Sequence, residues 1–240
     1  MIILDRVSKV IRRGGKTHEM FSDISEMIPT NRRIAVLGPN PREKRVFVNM
    51  LAGVELPTSG NILRKARVSF PVGHMGGFAN DMSVRLNVSH VARLYGSDVH
   101  AVVDFVEQVM KLGPAFDRPY GALAARERFE FCQVLAYSIP FDVYVLGEEA
   151  SKPNARNKME VKSLFEARAR TSGMILATQD EAFAREFCDM GIIVNRGRVR
   201  VIKGIERALA AAAEIPNERG ARRNGGGKRR RESNSSEDET

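Results

Sequence analysis

Residues 33–52 constrain this chain more than any other stretch. Arg33-Ile34-Ala35-Val36-Leu37 is a short apolar run that stops at Gly38, as a buried strand does. From Lys44 to Ala52 the spacing turns helical, with Val46, Phe47, Met50 and Leu51 on one face and Gly53 as the stop. Strand, glycine turn and helix are the setting of a phosphate-binding loop. Its working pattern is a glycine, four residues, then glycine, lysine and a serine or threonine. There the backbone N–H groups wrap a phosphate, the lysine neutralises it and the hydroxyl ligates Mg²⁺.

Only part of that pattern is present. Gly38 and Lys44 stand at the right spacing, but Glu43 replaces the second glycine and Arg45 the hydroxyl residue. Pro41 removes a donor and fixes φ. Glu43 brings a Cβ and a negative charge to where phosphate oxygens would sit. Arg45 cannot ligate Mg²⁺, although a guanidinium can contact a phosphate directly. Gly38, Asn40, Lys44 and Arg45 are therefore the candidate phosphate contacts.

The surrounding pattern is α/β. Residues 2–10 and 20–28 read as strands about a turn at Gly14-Gly15. Helices are expected over 86–95, 99–110, 124–137, 158–170 and 181–187, and strands over 143–146 and 174–177. Residues 192–195 and 199–203 form a hairpin turned by Arg196-Gly197-Arg198. Strand and helix alternate in the C-terminal part, which implies a parallel sheet with helices on its faces. No internal repeat is present.

Composition sets limits. The chain is 43% hydrophobic with no Trp, so it buries an aliphatic core. No apolar run approaches the roughly 20 residues that span a bilayer, and the N-terminus lacks the pattern of a signal peptide. The body is expected to end near Ala213, with 214–240 a disordered tail, basic and then acidic. Its basic run at 228–231 either touches phosphates or anionic lipid or is a solvated segment. A net charge of +9 suits acidic partners without choosing among them. Basic residues do not alternate with aromatic ones, as base stacking would require. Cys132 and Cys188 are too few for a disulfide framework and read as buried thiols. His18, His74, His90 and His100 lack metal-ligand spacing, so no metal site is expected.

Order along the chain carries a resemblance. Leu51-Ala52-Gly53, Pro57-Thr58-Ser59-Gly60, Val68-Ser69-Phe70-Pro71-Val72-Gly73, Gly76-Gly77-Phe78 and Ala92-Arg93-Leu94-Tyr95-Gly96 follow the loop in turn. Phe105-Val106-Glu107, Phe116-Asp117-Arg118-Pro119, Phe141-Asp142-Val143-Tyr144 and Glu186-Phe187-Cys188-Asp189 continue the set. Over roughly residues 1–210 the chain resembles the ATP-binding subunits of ABC transporters, and among them those that export capsular polysaccharide or lipopolysaccharide O-antigen.

The resemblance implies an ABC-type nucleotide-binding domain over 1–213. It has a mostly parallel core sheet, an N-terminal antiparallel β part and a helical lobe at about 79–137. ATP with Mg²⁺ is the implied cofactor. The implied partners are a membrane permease and a second ATP-binding subunit, at the cytoplasmic face of a bacterial inner membrane. The family's functional positions are mostly substituted. The adenine-stacking aromatic falls at Ile11, the Mg²⁺-positioning aspartate at Gly147, and the signature serine and glycine at Ala125 and Arg126. The glycine and aspartate of the next loop fall at Pro153 and Asn154. The switch histidine falls at Gln179, after Thr178, while the general-base glutamate is retained as Glu148.

Losing several groups that act as a unit leaves little catalysis, so hydrolysis is expected to be weak or lost, with ATP binding open and Mg²⁺ binding impaired. Lys44 reads as a solvent-facing charge or a residual phosphate contact, and Glu148 as a base or an exposed acidic turn. A stand-alone binder of nucleic acid or an anionic surface is the alternative, and it requires affinity that falls steeply with salt.

Overall fold

The computed structural model describes residues 1–150 and 159–216. The expected tail beyond 216 and the positions Pro153 and Asn154 lie outside them. The described residues form two sheets. β1 (Ile2–Arg13) pairs antiparallel with β2 (Lys16–Ile28) on one side and with a short strand at Ser59–Arg64 on the other. The second sheet has five strands, four of them parallel, beginning with β3 (Arg33–Leu37). Between β3 and the strand at 59–64, which is β4, lies α1 (Pro41–Ala52).

The first hairpin is longer than the sequence suggests. β1 runs on to Arg13 and β2 starts at Lys16, joined by Gly14 and Gly15 at φ 55° and 73°. A two-residue turn with both φ positive matches the twist of an antiparallel pair, and glycine adopts it without strain. Most residues at this tip face solvent, so apolar alternation fades although the ladder continues. β4 was not expected at all. It contains Gly60 and Asn61, types depleted in strands. Gly60 is needed because a Cβ there would lie 2.2 Å from the Arg6 carbonyl oxygen, where β1 breaks register.

After β4 come α2 (Val84–Leu94), α3 (Val99–Met110), two short 3₁₀ turns and α4 (Ala125–Ser138). Then β5 (Val143–Leu146), α5 (Met159–Thr171), β6 (Gly173–Ala177), α6 (Glu181–Phe187), β7 (Met190–Asn195), β8 (Arg198–Lys203) and α7 (Ile205–Ala213) complete the body. The order in the large sheet is β5-β6-β3-β7-β8, with β8 antiparallel at its edge.

Strand periodicity divides the interior. Ala35, Leu37, Tyr144, Leu146, Met174 and Leu176 face one core with the helical lobe. Ile34, Val36, Val143, Val145, Ile175 and Ala177 face the other, with α1 and the antiparallel sheet. This is the period of two expected when a strand is covered on both faces. On α1, Val46, Phe47, Met50 and Leu51 are all buried, as their spacing predicts. Each such side chain contributes roughly 1.5–3 kcal/mol relative to exposure. The helix ends at Gly53 in the left-handed region. Arg64 of β4 donates to the carbonyls of Leu51 at 2.8 Å and Met50 at 2.5 Å, capping the end of α1 with a cation.

Candidate functional site

Three neighbouring strands end side by side: β5, β6 and β3. Beyond them lie Glu148, Thr178 with Gln179, and the loop 38–45, so the topology converges on the end of a parallel sheet where ligands bind in such folds.

Gly38 has φ 148°, and a Cβ there would fall 2.0 Å from the carbonyl oxygen of Val194 on β7. The glycine is therefore required by the close approach of β7, whatever the loop binds. Asn40 is the N-cap of α1. Its Oδ1 accepts from the N–H of Arg42 at 3.0 Å and of Glu43 at 3.4 Å, while its Nδ2 donates to Glu43 Oε1 at 3.0 Å. Pro41 has no N–H, and the Lys44 N–H donates to the Asn40 carbonyl at 3.2 Å. The donors of the first helical turn are thus satisfied within the loop. Asn40-Pro41-Arg42-Glu43 has the spacing of a helix start with a reciprocal cap, a signal readable from sequence that a phosphate-loop reading passes over.

Lys44 corrects one expectation. It is not a solvent-facing charge: its side chain is 0% exposed. Its ammonium forms an ion pair with Glu148 and donates to the Thr178 carbonyl at 3.2 Å. A buried ammonium is tolerable only when paired and hydrogen-bonded. Glu148, with 32% of its side chain exposed, is correspondingly not a free acidic turn. The Thr178 carbonyl, a main-chain partner, left no mark in the sequence. Arg45 points outward and is exposed.

Gln179 is exposed at an open cleft of about 540 Å³ lined by Glu148, Thr178, Gln179, Asp180 and Glu181. Asp180 caps α6 by accepting from the Phe183 N–H at 2.9 Å. Three of the five lining residues are acidic, which disfavours a phosphate. Gly147 has open space on its Cβ side, with nothing within 4 Å. No contact forces a glycine there. Ile11 is half-buried on β1 opposite His18, and Ala125 and Arg126 open α4 at the surface. None of these three lines the cleft.

Neither Arg45 nor Gly147 offers a side-chain oxygen, so the residues present do not fit Mg²⁺ at the two positions that the resemblance assigns to it. Among the described residues no three His, Cys, Asp or Glu side chains are grouped to hold a metal. No helix among them is long and apolar enough to cross a membrane. Cys132 and Cys188 are buried, and burial pushes each thiol up to about 12.

No family model matches the chain. Known proteins do. It is 30% identical over 213 residues to the polysialic acid transport ATP-binding protein KpsT of Escherichia coli, covering 88% of this chain and 97% of that one. It is 26% identical to the capsule polysaccharide export ATP-binding protein CtrD of Neisseria meningitidis serogroup B, over 90% of this chain and all of that one. Among solved structures, the ATP-binding cassette MJ0796 in a dimeric post-hydrolysis state with ADP and Pi superposes with a TM-score of 0.65. That match has 14% identity and covers 85% of this chain and 98% of the other.

Proposed function

This chain belongs to the family of ATP-binding subunits of ABC capsular polysaccharide exporters, and on that premise we propose that it works as one, with ATP hydrolysis weak or lost. In this reading it sits on the inner face of the bacterial inner membrane, docked to a permease and paired with a second ATP-binding subunit. It conveys conformational work more than it performs chemistry.

One observation carries the loss of hydrolysis: the positions that would hold Mg²⁺ are Arg45 and Gly147, a cation and a residue with no side chain. Phosphoryl transfer is catalysed almost entirely by positioning and charge, and the metal supplies much of both. Ile11 offers no ring for stacking on adenine, and Gln179 offers an amide where an imidazole is expected. When ATP binds such a subunit, it supplies the energy of phosphoryl transfer. This chain's own residues supply Lys44, the one enclosed cation among the described residues, and Arg45 as a second, exposed one.

The test is turnover of Mg²⁺-ATP by the purified chain, alone and with its permease. Ordinary enzymes turn over at about 1–10³ s⁻¹, and loss of one positioned group costs about 10²–10³-fold. The expected rate is below about 10⁻² s⁻¹ on that scale. A rate near 1 s⁻¹ that disappears with Lys44→Ala contradicts the reading.

A further inference from the structure

We propose that Glu148 is the resident anion of the Lys44 site: its carboxylate takes the place of a phosphate group, and a polyphosphate ligand enters only when Glu148 swings out. This rests on reading loop 38–45 as a phosphate site.

Three observations support it. Lys44 is fully enclosed, with Glu148 and the Thr178 carbonyl as partners, so no outside anion reaches its ammonium while the pair stands. The helix-start donors that could compensate are committed, since Asn40 Oδ1 takes the N–H groups of Arg42 and Glu43 and Pro41 has none. Glu148 itself is about a third exposed and borders a cleft of about 540 Å³, which leaves room for its carboxylate to turn outward. Lys44 is anchored by its buried stem, and Glu148 is the movable member.

The consequence is a tax on binding. A site open only part of the time shows a dissociation constant raised by the inverse of its open fraction. Removing the competing carboxylate removes the tax. The gain runs against intuition, because Glu148 is the one family-type acidic residue retained here.

Inorganic pyrophosphate and ADP, both without Mg²⁺, are the probes, measured by titration calorimetry on the full chain. Glu148→Gln and Glu148→Ala are each expected to bind pyrophosphate at least about tenfold more tightly than the unaltered chain. Glu149→Ala, which removes an exposed neighbouring charge, is expected to leave affinity unchanged. The double variant Lys44→Met with Glu148→Gln is expected to lose the gain. Glu148→Gln keeps the side chain's shape, so it decides the matter if the alanine variant does not fold.

Unchanged affinity in the Glu148 variants overturns the proposal. So does an equal gain in Glu149→Ala, which would assign the effect to bulk charge, or a gain that survives the loss of Lys44. Mg²⁺-dependent turnover of the unaltered chain judges the proposed function separately.

Discussion

The ammonium of Lys44 and the carboxylate of Glu148 meet across the ends of two strands, β3 and β5, that are not adjacent, with β6 between them. The Thr178 carbonyl at the end of β6 completes the contact. One buried lysine therefore ties three strand ends together.

Breaking that tie should be costly. Removing one member of a buried ion pair strands the other, at about 3–5 kcal/mol. Glu148 is partly solvated, so Glu148→Ala is expected near the low end, at about 3 kcal/mol. Exchanging both, Lys44→Met with Glu148→Leu, is expected to recover most of the loss in urea unfolding.

Two glycines near the site should behave oppositely. Gly38→Ala drives a Cβ onto the Val194 carbonyl at 2.0 Å and is expected to cost more than about 4 kcal/mol or to abolish folding. Gly147→Asp enters open space and is expected to change stability by less than about 0.5 kcal/mol. A stability loss at Gly147 comparable to that at Gly38 would show that packing dictates both.

Asn40→Ala removes the acceptor for two N–H groups at the start of α1. The expected cost is about 1 kcal/mol, a fall in Tm of about 2–4 °C for a body of this size. Asn40→Asp is expected to fall less in a thermal scan, because a carboxylate also caps.

Burial holds both thiols neutral, each pushed up to about 12. Thiolate is the reactive form. At pH 8 the folded chain is therefore expected to leave Cys132 and Cys188 unmodified by a disulfide reagent, and both are expected to react once the chain is denatured.

Burial pushes the Asp189 carboxyl up, but hydrogen bonds from the Arg33 guanidinium and N–H outweigh it and leave the group below its ordinary range. A depressed carboxylate stabilises the fold above its unfolded value and loses that contribution as pH falls through the folded one. The pair is partly exposed, so it is worth under about 1 kcal/mol. Asp189→Asn is expected to flatten the fall of stability with acid below about pH 4.

The strand, turn and helix around Gly38, the apolar face of α1 and the hairpin at Arg196-Gly197 were legible because each depends on neighbours close in sequence. β4 was not, since its Gly60 is explained only by the register break in β1 that it opposes. The self-capping of Asn40 was written in the sequence, in a pattern that the phosphate-loop reading obscured. The burial of Lys44 was not, because its partners come from the ends of two other strands and one of them is a backbone carbonyl.

The place of β3 has a consequence for the order in which the chain is made. β3 draws its sheet hydrogen bonds from β6 and β7, residues 173–195, and has no partner among the residues that precede it. Such distant pairings are slow to close. While a ribosome is still extending the chain, the antiparallel sheet can zip from the first 64 residues. The loop at 38–45 must wait for strands that emerge well over a hundred residues later, so it is among the last parts of the protein to acquire its shape.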